Sequence, residues 1–561
     1  MKLFQQISIA SLGLALLASV GCAIAAETPP PKPNILLILA DDLGYSDLGC
    51  FGGEIHTPNL DTLAAHGLRV TQFYNSARCC PSRASLLTGL YPHQAGMGGM
   101  AGATPGAIRG YEGHLTESCV TIAEVLRGAG YRTYMVGKWH LGTTPNPIER
   151  GFDEFYGMIG GFNSFWQEQP FYSRLPEGRP RRVYAPDKFY STDVFGDYAL
   201  DFLAQARSKA DRPWFLYLAF NAPHFPLHAP KEEIAKYARL YQQGWDKIRD
   251  QRYAKMKRLG LLDGRWPLTP RSEYWNPKNN TQGVNPAWDS LDDDRRADLA
   301  RRMAIFAGMV DRLDQNGGRV VESLRKHGEL DNTLIFFLSD NGACAEWDPF
   351  GFDERSGPKN ILHKGEDLEK MGGPESYLSY GSGWANAGNT PLRLYKHYAH
   401  EGGISTPLIV HWPAGMQRKG ELDNRPGHIT DIMATCVEIA GATYPKSFND
   451  RAVLPMEGSS LLPALRSEPA RPRTIFFEHE GNRAVRADQW KLVSLNQGPW
   501  ELYDIEADRT ELKNLASVDP ELVAKLSKQW DEWAERCFVK RDAADSNVKP
   551  SSKEAKNHQK K

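Results

Sequence analysis

Cys79-Cys80-Pro81-Ser82-Arg83, running into Ala84-Ser85-Leu86-Leu87-Thr88-Gly89, sets a thiol just ahead of a proline and four residues before an arginine. Proline suits the first turn of a helix, where a missing N–H is no loss. The spacing predicts that Cys79 stands at a helix N-terminus, where free amides and the macrodipole favour an anion. A cysteine there, with a nearby arginine, suits attack on an anionic ester; a buried structural thiol is the alternative reading. Asp41-Asp42 and Asp340-Asn341 offer four carboxylate or amide side chains, the oxygen donors that a hard divalent cation takes, although an Asp-Asp pair also caps helices and turns. Arg83, Lys138, His140, His224 and Lys396 are the candidates for holding the ester's oxygens and moving protons. A lone lysine such as Lys396 is ordinarily solvated surface, whereas His140, set between Trp139 and Leu141-Gly142, stands out on its own.

The elements that must position these residues are legible as apolar runs. Asn34 to Leu39 reads as a strand buried on both faces and runs into Asp41-Asp42. Tyr131 to Val136 leads to Lys138 and His140, Trp214 to Phe220 leads to His224, and Leu334 to Leu338 leads to Asp340-Asn341. Helical spacing marks Pro58 to Gly67, Ile122 to Leu126 and a long stretch from Met303 to Leu324. Alternating strands and helices predict an α/β fold, a large mostly parallel sheet sandwiched by helices. Ligands of such sheets bind beyond the carboxyl ends of the strands, so these side chains should converge on one edge. Residues 229–294, rich in Tyr, Trp, Arg and Lys, break the rhythm and read either as an insertion over the site's rim or as solvated amphipathic helix. Short strands near Ile475-Phe477, Lys491-Leu495 and Trp500-Tyr503, then a helix with Leu522, Leu526 and Trp530, predict a small C-terminal α+β domain.

Cys-x-Pro-Ser-Arg-x-x-x-Leu-Thr-Gly, from Cys79 to Gly89, resembles the signature of type I sulfatases. Gly137-Lys138-Trp139-His140-Leu141-Gly142, Ala222-Pro223-His224 and Lys396-x-x-x-x-Glu401-Gly402-Gly403 resemble further segments of that family. Phe51-Gly52-Gly53-Glu54-Ile55, Gly110-Tyr111-Glu112-Gly113-His114-Leu115, Tyr241-Gln242-Gln243-Gly244-Trp245-Asp246 and Gly383-Trp384-Ala385-Asn386 look like its bacterial arylsulfatase branch. The resemblance implies an alkaline-phosphatase-like fold and a Cys79 oxidised to formylglycine by a maturation enzyme. It also implies a calcium ion held by Asp41, Asp42, Asp340, Asn341 and a formylglycine oxygen at residue 79. On that pattern the formylglycine hydrate attacks sulfur, His224 or Lys396 protonates the leaving oxygen, and His140 helps release sulfate. Rival readings are a formylglycine-dependent phosphonate or phosphodiester hydrolase and an unmatured anion- or glycan-binding protein. His228, His397 and His400 match nothing in the family pattern.

At 561 residues the chain exceeds one ordinary domain. The boundaries expected are a signal peptide over 1–25, a catalytic domain over 26–443, a C-terminal subdomain over 444–539 and a lysine-rich tail over 540–561. The apolar run Ile7 to Val20 followed by Ala23-Ile24-Ala25 implies export to a periplasm or the exterior, with no stable membrane span. Net charge of -1 argues against nucleic acid as a partner; the sulfate ester expected as substrate is what the family resemblance implies. Specificity is expected from the segment after Ala229, the surroundings of Trp384 and the region of His479.

Overall fold

The computed structural model of the protein describes residues 32–102, 107–185, 187–209, 211–469 and 471–540. The expected signal segment, and the tail beyond residue 540, lie outside the described residues. Asn34–Ala40 forms strand β1, whose alternate side chains serve two cores. Leu36 and Ile38 face one core and Ile35, Leu37 and Leu39 the other, all with no exposed surface. A strand covered on both faces needs an unbroken apolar run, because each successive residue points to the opposite side.

β1 is flanked in parallel by β6 (Trp214–Ala219) and β9 (Thr333–Ser339). β3 (Arg132–Lys138) and β4 (Glu154–Met158) extend the parallel set beyond β6, and β5 (Ser173–Leu175) closes that edge antiparallel. On the other side β10 (Ser405–His411) lies antiparallel to both β9 and β2 (Leu68–Tyr74). The sheet is therefore mostly parallel, with helices on both faces. Helix α1 (Pro58–Ala65) precedes β2, and α2 (Cys79–Thr88), buried along its whole length, carries residue 79.

β2 was not among the expected strands. Arg69, Thr71 and Gln72 interrupt its apolar pattern, yet it is sandwiched between β10 and the short strand Glu421–Asp423. Burial by neighbours overrides the weak local signal.

The chain from 229 to 294 divides into two parts. Its helices Lys231–Tyr237 and Gly244–Arg258 join the helical layer: Trp245 is buried against Trp288 and Trp384, and Arg252 pairs with Asp47 and Glu54 at 2.6 and 2.7 Å. Only the hairpin Glu273–Asn276/Thr281–Val284 reaches outward, placing Lys278 5.6 Å from the Trp347 ring.

Beyond the large sheet stands a separate antiparallel sheet of Thr474–His479, Asn482–Ala487, Trp490–Ser494 and Glu501–Asp504. The helix Pro520–Arg536 packs on it and Trp530 Nε1 donates to Phe477 O at 3.0 Å. A buried charge network ties this sheet to the large one. Glu401 accepts from Lys491 at 2.9 Å and Arg509 at 3.0 Å, and Glu511 lies 2.7 Å from Lys491. Buried charges of this kind persist only when paired. Cys50, Cys79, Cys80, Cys119, Cys344, Cys436 and Cys537 are all free thiols, so no disulfide joins the described residues.

Candidate active site

Four strand ends supply the site. Asp41 and Asp42 follow β1, Lys138 ends β3 with His140 two residues on, His224 follows β6, and Asp340 and Asn341 follow β9. All are buried, His140 the least so at 8 % exposure. Two of them adopt left-handed backbone, Asp42 at φ 71° and His140 at φ 54°. Non-glycine residues held there are strained, a state that the surrounding structure must enforce. β3 and β4 do so at His140: Trp139 N and His140 N donate to Met158 O and Ile159 O at 2.9 and 3.1 Å. Gly161 gives the imidazole room, since a Cβ there would lie 2.6 Å from His140 Nε2.

α2 brings in the thiol. Arg78 is extended at φ -150°, Cys79 is the first helical residue, and Ser82 N donates to Arg78 O at 2.9 Å. Ligand atoms of Cys79, Cys80 and His140 lie within 4.8 Å of one another. The Cys80 thiol, with His140 and Lys138 behind it, holds the Cys79 thiol well below the ordinary range, against the opposing effect of burial. Burial and the charges of Lys138 and Arg83 hold His140 down to about 4, so its imidazole is neutral.

The carboxylates are locked to cations. Lys138 Nζ donates to Asp41 at 2.6 Å, and Arg83 reaches Asp340 at 2.8 Å and Asp41 at 3.6 Å. Arg83 also donates to Lys138 O at 2.9 Å, so it stands behind the acidic pair rather than facing an incoming ester. Lys396 Nζ lies 2.9 Å from Asp42, and His224 Nε2 3.5 Å from it. Asn341 Nδ2 donates to Asp42 at 2.7 Å. Burial would raise Asp42, but Lys396 and His224 outweigh it and leave it below the usual carboxylate range. Burial pushes Asp41 up despite Lys138, and burial together with Asp41 pushes Asp340 up to about 8 despite Arg83.

This donor set fits a hard divalent cation. Asp41 Oδ1 and Asn341 Oδ1 are buried oxygens with no hydrogen-bond partner. Buried polar atoms are normally satisfied, and three carboxylates with an amide oxygen are what such an ion takes. The Cys79 position also suits an oxygen-bearing residue, set at a helix N-terminus beside Lys138 and His140.

All ten sequence candidates thus fall in one buried cluster. Four residues that the sequence did not single out adjoin it. Glu346 lies 3.8 Å from Lys396, His397 lies 3.2 Å from Glu346, and Arg78 and Glu480 border His397. His397 directly follows Lys396, and Arg78 directly precedes Cys79, so adjacency was the one available signal. Trp384, whose surroundings were expected to bear on specificity, has itself no exposed surface: it packs against Tyr241, Trp245 and Trp288 and donates to Leu299 O at 2.8 Å.

Fold and site together define an α/β enzyme built to hold an anionic ester between strand-end carboxylates and buried cations. A model of the sulfatase family matches residues 33–442, and one described as the C-terminal region of N-sulphoglucosamine sulphohydrolase matches residues 393–536. An uncharacterized sulfatase of Schizosaccharomyces pombe is 37% identical over 532 residues, covering 89% of this chain and 93% of that one. An arylsulfatase of Klebsiella aerogenes is 37% identical over 445 residues, covering 77% and 91%. Among solved structures, Ps i-CgsB in complex with k-i-k-neocarrahexaose superposes with a TM-score of 0.64 at 28% identity, covering 92% of this chain and 96% of that one. The chain belongs to the sulfatase family, and it is an enzyme that hydrolyses sulfate esters. Among the described residues no helix is long and apolar enough to cross a membrane.

Proposed function

We propose that this sulfatase works with a formylglycine made from Cys79 and with a calcium ion held by Asp41, Asp42, Asp340 and Asn341. The observation that carries this is the placement of Cys79 at the start of α2, facing Lys138 and His140 beside orphaned Asp41 and Asn341 oxygens. Formylglycine, as its hydrate, would supply a nucleophile whose second hydroxyl can expel the bound sulfate. Calcium would supply positive charge opposite the sulfuryl oxygens.

The chain's own residues do the rest. Lys138, anchored by Asp41, holds its ammonium toward residue 79. Lys396 stays charged, because Asp42 and Glu346 hold it well above the ordinary lysine range against burial. It serves as a fixed cation for the sulfate group and a hydrogen-bond donor to the ester oxygen. His224 is held down to about 4 by burial, with Asp42 opposing; its Nδ1 lies 2.6 Å from Phe225 O, which leaves Nε2 facing Asp42 and the substrate. An anionic ester beside it favours the imidazolium, which can protonate the leaving oxygen. His140, neutral and with an unpartnered Nδ1, can take a proton near residue 79. Arg83 keeps Asp340 and Asp41 oriented. Asp340, held ionised by the bound cation, would receive a proton from the nucleophile.

The substrates fitting this reading are aryl sulfates or sulfated carbohydrates; the Klebsiella relative is named an arylsulfatase, and the Ps i-CgsB structure holds a carbohydrate. Residues 26–443 would form the catalytic domain and 444–539 its accessory subdomain. The N-terminal segment 1–25 would direct export, to a periplasm or the exterior, and a formylglycine-generating enzyme would act before folding buries Cys79. The mass of the peptide containing residue 79 tests the central claim: conversion exchanges one sulfur and two hydrogens for one oxygen. An unmodified thiol in active protein sinks it. Faster turnover of phosphodiesters than of sulfate esters would favour the rival hydrolase instead.

A further inference from the structure

Beside the sulfate-facing groups lies a polar cluster that the chemistry above does not use. Arg78 touches the His397 ring and lies 3.6 Å from both Glu346 and Glu480. His397 bridges the two carboxylates, with Nδ1 2.6 Å from Glu480 and Nε2 3.2 Å from Glu346. Glu346 is itself 3.8 Å from Lys396 Nζ, so one side chain separates the cluster from the sulfate-holding lysine. His479, 1 % exposed, has no hydrogen-bond partner on either ring nitrogen, and its ring centre is 6.2 Å from that of His397.

Two histidines and a glutamate whose ligand atoms lie within 4.8 Å of one another first suggest a metal. Arg78 argues against it. Its guanidinium already sits against His397 and Glu480, and a second positive charge there would be repelled. The set suits hydroxyl groups instead. A hydroxyl donates once and accepts twice; a carboxylate accepts, a guanidinium donates, and an imidazole does either. Arg78, His397 and Glu480 keep 12%, 11% and 29% of their side chains exposed, whereas Asp41, Asp42, Arg83 and Lys138 keep no more than 1%. The cluster is therefore reachable where the inner groups are sealed. Asp42, which Lys396 contacts, also lies 3.5 Å from His224, and His224 is stacked by the half-buried Phe162 at 5.9 Å and 13°, which offers an apolar face. A flat aryl group needs only that face. A sugar presents both an apolar C–H face and a rim of hydroxyls.

We propose that Arg78, His397 and Glu480 form the subsite for the alcohol half of the ester, and that it selects a sulfated sugar ring with neighbouring hydroxyls over an aryl sulfate. The inference rests on Lys396 and His224 holding the sulfate group. The test compares kcat/KM for nitrophenyl sulfate with that for hexoses sulfated one position at a time, in the wild type, Glu480→Gln and His397→Asn. Asparagine tolerates the positive φ of 83° at position 397. The expected result is a wild-type preference for at least one hexose sulfate, and a sugar-to-aryl ratio that falls roughly tenfold to a hundredfold in the variants, since a site built to bond a hydroxyl depends on those bonds. A wild type that prefers nitrophenyl sulfate, or variants that lose both activities in parallel, would overturn the assignment. Calorimetric binding of the same esters to protein with an unconverted Cys79 separates the two layers of the argument. Tighter binding of the hexose sulfate, weakened in Glu480→Gln, supports the subsite even if neither ester turns over, an outcome that would count against the catalytic reading alone. Equal binding of both esters overturns the subsite.

Discussion

The inner pocket and its rim are built on different principles. The inner carboxylates hang directly on the ends of buried parallel strands, within two residues of Ala40 and Ser339, and meet Arg83, Lys138 and Lys396 at contact distance. The rim gathers Arg78, Glu346, His397 and Glu480 from a helix cap, a loop, the segment before β10 and a turn of the C-terminal sheet. Arg78 and His397 are 319 residues apart in sequence. The inner region must hold one geometry for one chemistry, whereas the rim can vary with the alcohol that the enzyme releases. Rigid strands position a site and loops diversify it.

The sharpest way to break this contrast is to remove an inner countercharge. Arg83→Ala leaves Asp340 and Asp41 buried without it, and should cost about 3–5 kcal/mol in denaturant unfolding together with nearly all turnover. Retention of full stability would mean that the inner pocket is not the locked array described here. Lys396→Ala keeps the strand-end array but removes one fixed cation, and should lower kcat/KM on nitrophenyl sulfate by roughly 10²–10³-fold. A loss within tenfold would place Lys396 at the rim rather than inside.

Trp384 tests the boundary from another direction. Because it fills a core with Trp245 and Trp288, Trp384→Ala should cost about 3–5 kcal/mol of stability and leave the preference among sulfate esters as it was. A changed preference would return Trp384 to the specificity surface.

Buried histidines and rim carboxylates should also lose their contributions in different pH ranges. Burial holds His140, His224 and His228 down to about 4, against an ordinary 6.5. The unfolded chain binds protons there more readily, so this stability is complete above pH 6.5 and is lost as pH falls toward 4, by roughly 1–3 kcal/mol per histidine. At the rim, burial would raise Glu346 and Glu480, but Lys396 and His397 respectively outweigh it and hold them below their ordinary 4.5. Their contribution is present above 4.5 and disappears only at lower pH. Thermal unfolding across pH should therefore show the buried histidines' contribution falling away between pH 6.5 and 4, which His228→Gln should partly flatten, and the glutamates' contribution only below 4.5. The smallest effect is expected at the outermost residue: Lys278→Ala, at the exposed hairpin over Trp347, should change kcat/KM by less than about twofold.

The inner site was readable because its information is local. An apolar run names a buried strand, and the residue that follows it must sit at the sheet's carboxyl edge, so Asp41, Lys138, His224 and Asp340 could be assembled without knowing the strand order. β2 escaped because Arg69, Thr71 and Gln72 hide a strand that only its neighbours bury. An aromatic in a glycine-rich stretch looks the same in sequence whether it lines a site or fills a core, and the Trp384 ring fills a core.

By itself the sequence determined strands β1, β3, β6 and β9, the residues at their ends and the thiol at the start of α2, since each depends on covalent neighbours and helix or strand period. Only the tertiary structure decided that Arg83 faces carboxylates, that Glu346 and His397 stand behind Lys396, and that Glu480 reaches them from the C-terminal sheet. Those contacts join residues with no common period and no short spacing, and the one from Glu480 depends on the buried Glu401, Lys491 and Arg509 charges that tie the C-terminal sheet to the large one.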